Sequence, residues 1–306
     1  MPIMIPSGLP ARKTLEAEGV VVIGKERAQR QDIRPMRIAV LNLMPEKITT
    51  ETQLARVLGS TPLQIEMTLV ALETHKPKTT PEQHLLDFYQ PFGKIKNQKF
   101  DGLIVTGAPI ERMPFEDVTY WRELGHIFDW SNQHVHSTFN LCWGAQAALY
   151  HFYGIPKHIL KTKKFGVYDH KVLDHTSLLM RGLNDVIAVP VSRHTENRKL
   201  DFNNYPQLQI LMDSVEAGIC MVLDPEKRHV HMFNHLEYDA ETLKDEYLRD
   251  AEKGTPPLMP EHYFPKDDPT KKPISRWRSS AHLLFGNWLN MIYQATPYDI
   301  NQIGQE

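Results

Sequence analysis

The chain has 306 residues, 41% of them hydrophobic, and a formal net charge of −2 from 35 basic and 37 acidic side chains. That is enough apolar material for one large α/β domain or two small ones, and the balanced charge gives no electrostatic footprint for nucleic acid or an anionic membrane. Two cysteines, an opening MPIMIPSGLPARK without the apolar core of a secretory signal, and no apolar run of bilayer length argue against a disulfide framework, export and membrane insertion, so a cytoplasmic protein is expected.

In chain order, residues 1–35, with Pro2, Pro6, Pro10, Pro35 and the polar stretch KERAQRQDIRP, read as an N-terminal arm lying on the domain rather than in its core. Regular structure begins with MRIAVLNL (36–43) as a buried strand, followed by ITTETQLARVLG (48–59) as a helix, QIEMTLVAL (64–72) as a strand and PEQHLLDFYQ (81–90) as a helix. FDGLIVTGAP (100–109) is a third strand ending in a Gly turn, and VTYWRELGHIFDWS forms the next helix. Alternating strands and helices predict an α/β fold, a mostly parallel sheet flanked by helices, with ligands beyond the carboxyl ends of the strands. Past residue 155 the pattern changes to shorter strands, IAVPVSRH, QLQILMDS, AGICMVLD and HVHMFNH, the last two joined through the turn DPEKR, so the C-terminal half is mixed. Helices over about 240–253, stopped by Gly254 and two prolines, and over about 276–294 close the chain around the loop KGTPPLMPEHYFPKDDPTKKP. No internal repeat or linker is visible, and residues 36–306 are expected to form one domain that includes the closing helices.

The most informative stretch is HVHSTFNLCWGAQAA (134–148), where the hydrophobic period switches from strand to helix at Cys142. A thiol at such an elbow is presented rather than buried, and backbone N–H groups with the positive end of the helix dipole favour its thiolate. The elbow helix is predicted to stop at Gly154, before Pro156. Cys142 is therefore a candidate nucleophile, against the plain alternative of a small buried hydrophobe, which is how Cys220 in AGICMVLD reads. A cysteine nucleophile needs a base and a group to orient it. His235 and Glu237 in FNHLEY supply both if they share one face at a strand end. His229 and His231 form an H-x-H on one strand face, but no third ligand has suitable spacing and no metal site is expected.

Together these pieces resemble the class I glutamine amidotransferase-like fold, a flavodoxin-like three-layer sandwich, with NLCWGAQ at its nucleophile elbow and HLE at its His-x-Glu. Asn140 replaces the usual elbow glycine, which the tolerance of Asn for left-handed backbone would accommodate. GAP at 107–109 replaces a double-Gly turn that helps form the glutaminase oxyanion hole. The chain more closely resembles the homoserine O-acyltransferases of the succinyltransferase-type family, across MPIMIP, ARKTLEAEGV, RIAVLNLMPEKITTETQLARVLG, VTGAPIE, FNLCWGAQAALYHFYGIPK, HVHMFNHLEY and RWRSSAHLLFGNWLN.

That resemblance implies acyl transfer from an acyl-CoA to L-homoserine in methionine biosynthesis, with Cys142 carrying the acyl thioester, His235 as general base and acid and Glu237 orienting it. It also implies substrate contacts at Lys163, Ser192 and Arg249, a homodimer, and no bound cofactor. Taken without it, Lys163 in LKTKKFG reads as part of a solvated basic run and Arg249 as one charge on a helix whose other charges face water. The oxyanion donors expected are the Trp143 backbone N–H and an N–H near Leu43. Glu111 resembles the acetyl-CoA users of the family rather than the succinyl-CoA users, which carry Gly, because a carboxylate there would crowd and repel a succinyl chain. Acetyl-CoA is thus the expected donor. Succinyl-CoA, a glutaminase or cysteine hydrolase of the same fold, and a catalytically silent binding protein are the alternatives.

Overall fold

Strands form where apolar residues run nearly unbroken, because both faces of the sheet they build are covered. The computed structural model describes residues 3–6, 8–18, 22–23, 34–77, 79–252 and 258–305. Its strands are β1 (Ile3–Met4), β2 (Val22–Ile23), β3 (Met36–Leu41), β4 (Ile65–Ala71), β5 (Tyr89–Pro91), β6 (Phe100–Val105) and β7 (Val135–Leu141), then β8 (His158–Val172), β9 (Val186–Glu196), β10 (Gln209–Ser214), β11 (Gly218–Asp224) and β12 (His229–Met232). They join one sheet in the order β2-β1-β4-β3-β6-β7-β12-β11-β10-β8-β9, with β5 on β4. Pairings from β2 through β12 are parallel. Those from β12 out to β9 are antiparallel, so the mostly parallel sheet with a mixed C-terminal half is as the sequence predicts.

The helices are α1 (Ala11–Ala17), α2 (Lys47–Leu58), α3 (Glu82–Phe88), α4 (Phe92–Ile95), α5 (Trp121–His134), α6 (Trp143–Tyr153), α7 (Thr242–Glu252) and α8 (Arg278–Ala295). Side chains alternate across each strand, so one strand feeds two cores. Ile38, Val40 and Ile104 join the cluster holding Leu54 and Leu58 of α2 and Leu284, Phe285 and Trp288 of α8, while Ala39, Leu41, Leu103 and Val105 join Leu124 and Phe128 of α5 and Trp143 of α6. Gly102 marks a close contact between the sheet and α8, since a Cβ there would sit 2.8 Å from Ile38 and 2.9 Å from Trp288.

Two expectations change and two fall outside what the structure describes. The arm does not simply lie on the surface where it is described: Ile3 and Met4 add a parallel strand beside β4, and Ile3, Ile5, Leu9 and Leu15 enter the main core. Most of KERAQRQDIRP, and the Gly254 and prolines expected to stop α7, lie outside the described residues. LKTKKFG is not a solvated run but part of the 15-residue β8, whose long hairpin with β9 places Phe165 opposite Ser192. Its irregular register between Ile159 and Lys164, and the lysines along it, hid the strand from a reading based on apolar alternation.

Three buried histidines make stability acid-sensitive. Burial holds His170 and His231 down at about 4, and His229 well below its ordinary value, so all three are neutral in the fold. The unfolded chain takes up these protons near pH 6.5 and the folded one does not, so their contribution is complete above that pH. It is lost as pH falls from about 6.5 toward 4, at roughly 1.4 kcal/mol per group per pH unit. Thermal midpoints followed by circular dichroism should drop by several degrees per unit through this window, and a flat profile would show that these rings take protons in the native state.

Candidate active site

The sheet order sets the site before any side chain is considered. β7 lies between β6 and β12, all parallel, so their carboxyl ends bring Gly107, Cys142 and the loop after Met232 to one edge. Cys142 stands at the turn from β7 into α6 with φ 49° and ψ −119°, a conformation that costs a non-glycine residue of order 1–3 kcal/mol and is held by its surroundings. Its N–H donates to the Met232 carbonyl at 2.7 Å and its carbonyl accepts from the Ala145 and Gln146 N–H groups. The strained residue of the elbow is thus the cysteine itself. Asn140, expected to take the left-handed position, is extended within β7 and pairs with Val105 and His231.

Two glycines permit the elbow. A Cβ on Gly144 would lie 2.6 Å from the Thr106 carbonyl oxygen, and one on Gly107 would lie 3.0 Å from Cys142 Cβ and 3.6 Å from Trp143 N. The Gly107–Ala108 backbone therefore passes beside the thiol and the first N–H of α6. The Trp143 indole is buried against Phe115 and Tyr120, leaving its backbone N–H as the part near the thiol. Leu43 is differently placed: its N–H donates to Thr106 Oγ1 at 2.7 Å and its side chain lines a neighbouring cavity, so the expected donor is already engaged.

His235 and Glu237 lie past the end of β12, in the loop rather than on one strand face as expected. A turn brings them together instead, with His235 Nδ1 2.6 Å from Glu237 Oε1. His235 lines the same cavity as Cys142, and its backbone N–H donates to the Pro190 carbonyl of β9 at 2.9 Å. Burial by itself lowers the pKa of His235, but the charges of Glu237 and Cys142 outweigh it and raise the imidazole well above its ordinary value. The ring stacks on Tyr238, centroids 4.1 Å apart at 14°. Cys220 contrasts with Cys142: it is fully buried in the main core, with its thiol pushed up to about 12 by burial.

Glu111, Cys142, Lys163, Ser192, His235 and Arg249 all line one cavity of about 160 Å³. Alternation along β9 points Ser192 and His194 into it and Arg193 and Thr195 into the core. Glu111 is half-buried, and its Oε2 accepts from the His194 N–H at 3.1 Å. Burial raises its carboxyl pKa, partly opposed by that bond and by the charge of His235.

Glu246 is the residue that sequence reasoning missed. It accepts from Ser192 Oγ at 2.6 Å, from Lys163 Nζ at 3.3 Å and from Tyr238 OH at 3.2 Å, so it ties the polar wall together. Burial and the charges of Glu246 and Glu237 raise the Tyr238 phenol far above its ordinary value. The signal was present: Glu246 and Arg249 are three residues apart on α7 and share a face, so not all the other charges of that helix face water. Arg249 itself is half-exposed at the mouth, paired with Asp250 at 3.2 Å.

His229 and His231 lie inside the sheet with ring centroids 6.0 Å apart and do not line this cavity. The buried cysteine, imidazole and carboxylate can perform nucleophilic acyl chemistry, and the polar wall carries both a carboxylate and cations, as a zwitterionic substrate requires.

Residues 2–298 match the family model for homoserine O-succinyltransferase. A homoserine O-acetyltransferase of Allorhizobium ampelinum is 55% identical over 305 residues, covering 100% of this chain and 99% of the relative. One of Brucella canis is 54% identical over 305 residues, with both chains fully covered. Among solved structures, a glutamine amidotransferase from Thermotoga maritima superposes with a TM-score of 0.57 at 12% identity, over 86% of this chain and 100% of that one. Another, from Methylobacillus flagellatus, gives 0.52 at 12% identity over 85% and 95%. At such identities the structural likeness concerns the fold alone.

Proposed function

The chain belongs to the homoserine O-succinyltransferase family, and from that premise we propose that it transfers an acetyl group from acetyl-CoA to the hydroxyl of L-homoserine through a thioester on Cys142. The observation that carries this is the meeting of Cys142 and His235 in one cavity, with Glu237 held 2.6 Å behind the imidazole, beside a wall charged for an amino-acid substrate. Cys142 Sγ attacks the thioester carbonyl carbon while His235 takes the thiol proton. Collapse of the tetrahedral intermediate breaks the bond to CoA sulfur, which leaves with that proton. His235 then removes the homoserine hydroxyl proton, the alkoxide attacks the acyl-enzyme, and Cys142 is released with O-acetyl-L-homoserine as product. Glu237 holds the ring and offsets its charge.

The developing oxyanion is bound by the Trp143 N–H and by a backbone N–H of the Gly107–Ala108 segment, which replaces Leu43 in this role. Glu246 receives the homoserine ammonium, while Lys163 and Arg249 face its carboxylate and Ser192 fixes Glu246 in place. Glu111 closes the acyl end. It fills space where a succinyl chain would extend, and when ionised it repels the distal carboxylate, so acetyl is favoured although the family model carries the succinyl name. The reading carries two further expectations, a place in methionine biosynthesis in the cytoplasm and a homodimeric assembly.

The test is the intact mass of the protein after exposure to acetyl-CoA or to succinyl-CoA without homoserine. An acetyl adduct mapped to Cys142 and cleared by homoserine is expected. A succinyl adduct in its place keeps the chemistry and overturns the role of Glu111. No adduct from either donor, with hydrolysis of the acyl-enzyme excluded by rapid quenching, overturns the reading.

A further inference from the structure

The catalytic cavity has two unlike sides. Lys163, Ser192, Glu246 and Arg249 make one polar, whereas Met44, Pro45, Ala108 and Pro109 make the other apolar. Those four apolar residues also line a second, adjoining cavity of about 210 Å³, together with Ala71, Leu72 and His75. Ala71, Leu72, His75 and Pro77 in turn border a third cavity of about 610 Å³. Three cavities, each sharing wall residues with the next, therefore lie in series from Cys142 along the carboxyl ends of β6, β3 and β4.

We propose that this chain of cavities is the binding groove for the pantetheine arm of the acyl-CoA donor, with the thioester at Cys142 and the arm passing Pro45 and Pro109 toward Ala71. The proposal rests on the acyl-CoA reading above. Homoserine carries two charges and is excluded from the apolar side, where neither would be paired. The arm carries none, only two amides, one hydroxyl and a branched aliphatic segment. It suits a mostly apolar passage with scattered backbone groups. It gains nothing on the polar side, where Glu246 already occupies Ser192, Lys163 and Tyr238.

The groove is also preformed. Leu43 N–H donates to Thr106 Oγ1 at 2.7 Å, and Lys47 Nζ donates to the Asn42 carbonyl and, at 3.4 Å, to that of Met44. Thr79 Oγ1 donates to the Pro45 carbonyl at 2.7 Å. These bonds fix the wall formed by residues 42–45 before any ligand arrives. The two substrates then reach the thiol from opposite sides.

Donors of two lengths test this. Ala71→Phe fills the groove at its far junction, and His75→Trp narrows its exposed rim, where the histidine ring packs edge-on against Tyr120. Acetyl-CoA is compared with the acetyl thioester of N-acetylcysteamine, which carries only the thiol end of the arm and stops short of Ala71. The expected result is a KM for acetyl-CoA raised at least about tenfold, with kcat/KM for the short donor and KM for homoserine changed less than about twofold. The proposal stands if either folded variant shows this donor-length dependence and falls if neither does. Wild-type protein that transfers no acyl group from acetyl-CoA or succinyl-CoA overturns the underlying reading and this proposal with it. Wild-type transfer with both variants unchanged overturns the groove alone.

Discussion

Replacing Cys142 by alanine is expected to lower acyl transfer to homoserine by at least about four orders of magnitude and to abolish the acyl adduct, while the far-ultraviolet spectrum stays unchanged. A nucleophile acting with its base and orienting group accounts for most of the rate as a unit, so its loss cannot be shared out among the others. The fold survives because alanine keeps the Cβ of cysteine at a position where the surrounding backbone already imposes φ 49°. Cys142 has 7% of its surface exposed and contributes little to the core. Steady-state transfer and intact mass are measured together. Residual turnover within about tenfold of wild type would mean that acyl transfer to homoserine is direct and needs no acyl-enzyme.

Glu246→Gln separates the two halves of the reaction. Formation of the acyl-enzyme from acetyl-CoA is expected to stay within about threefold of wild type in single-turnover quenching, because Cys142, His235 and Glu237 are untouched. Its discharge by homoserine is expected to fall roughly 30-fold or more in kcat/KM, the cost of leaving a buried ammonium without its carboxylate. Neutralising this carboxylate also weakens its bonds to Lys163, Ser192 and Tyr238, so the effect should exceed that of Ser192→Ala alone. Equal loss in both half-reactions would place Glu246 in support of the catalytic His235, through Tyr238, rather than against homoserine.

The elbow could be read from residues because a change from strand to helix period is local, and the β-α alternation of the first half needs only neighbouring residues to declare itself. The same reading misplaced what depends on turns. His235 and Glu237 meet through a loop, not through strand alternation, and the left-handed backbone falls on Cys142 rather than on Asn140. The strand β8 was hidden because Lys161, Lys163 and Lys164 interrupt apolar alternation, and Lys163 turns to Glu246 at the cavity wall instead of to water.

The sequence by itself determined the fold class and singled out the side chains of the proposed chemistry: apolar runs with β-α alternation require a covered parallel sheet, and Cys142, His235 and Glu237 are the groups that the proposed acyl transfer uses. Tertiary structure alone decided which charges face the reacting thiol. Glu246 becomes part of the site only when β9 and α7 bring Ser192 and Arg249 to one cavity, and the Leu43 N–H is withdrawn from it by a hydroxyl 63 residues away, on Thr106. The physical reason is range. Periodicity and turn propensity act over a few residues, whereas desolvation, ion pairing and hydrogen-bond satisfaction depend on groups that only the sheet order brings within reach.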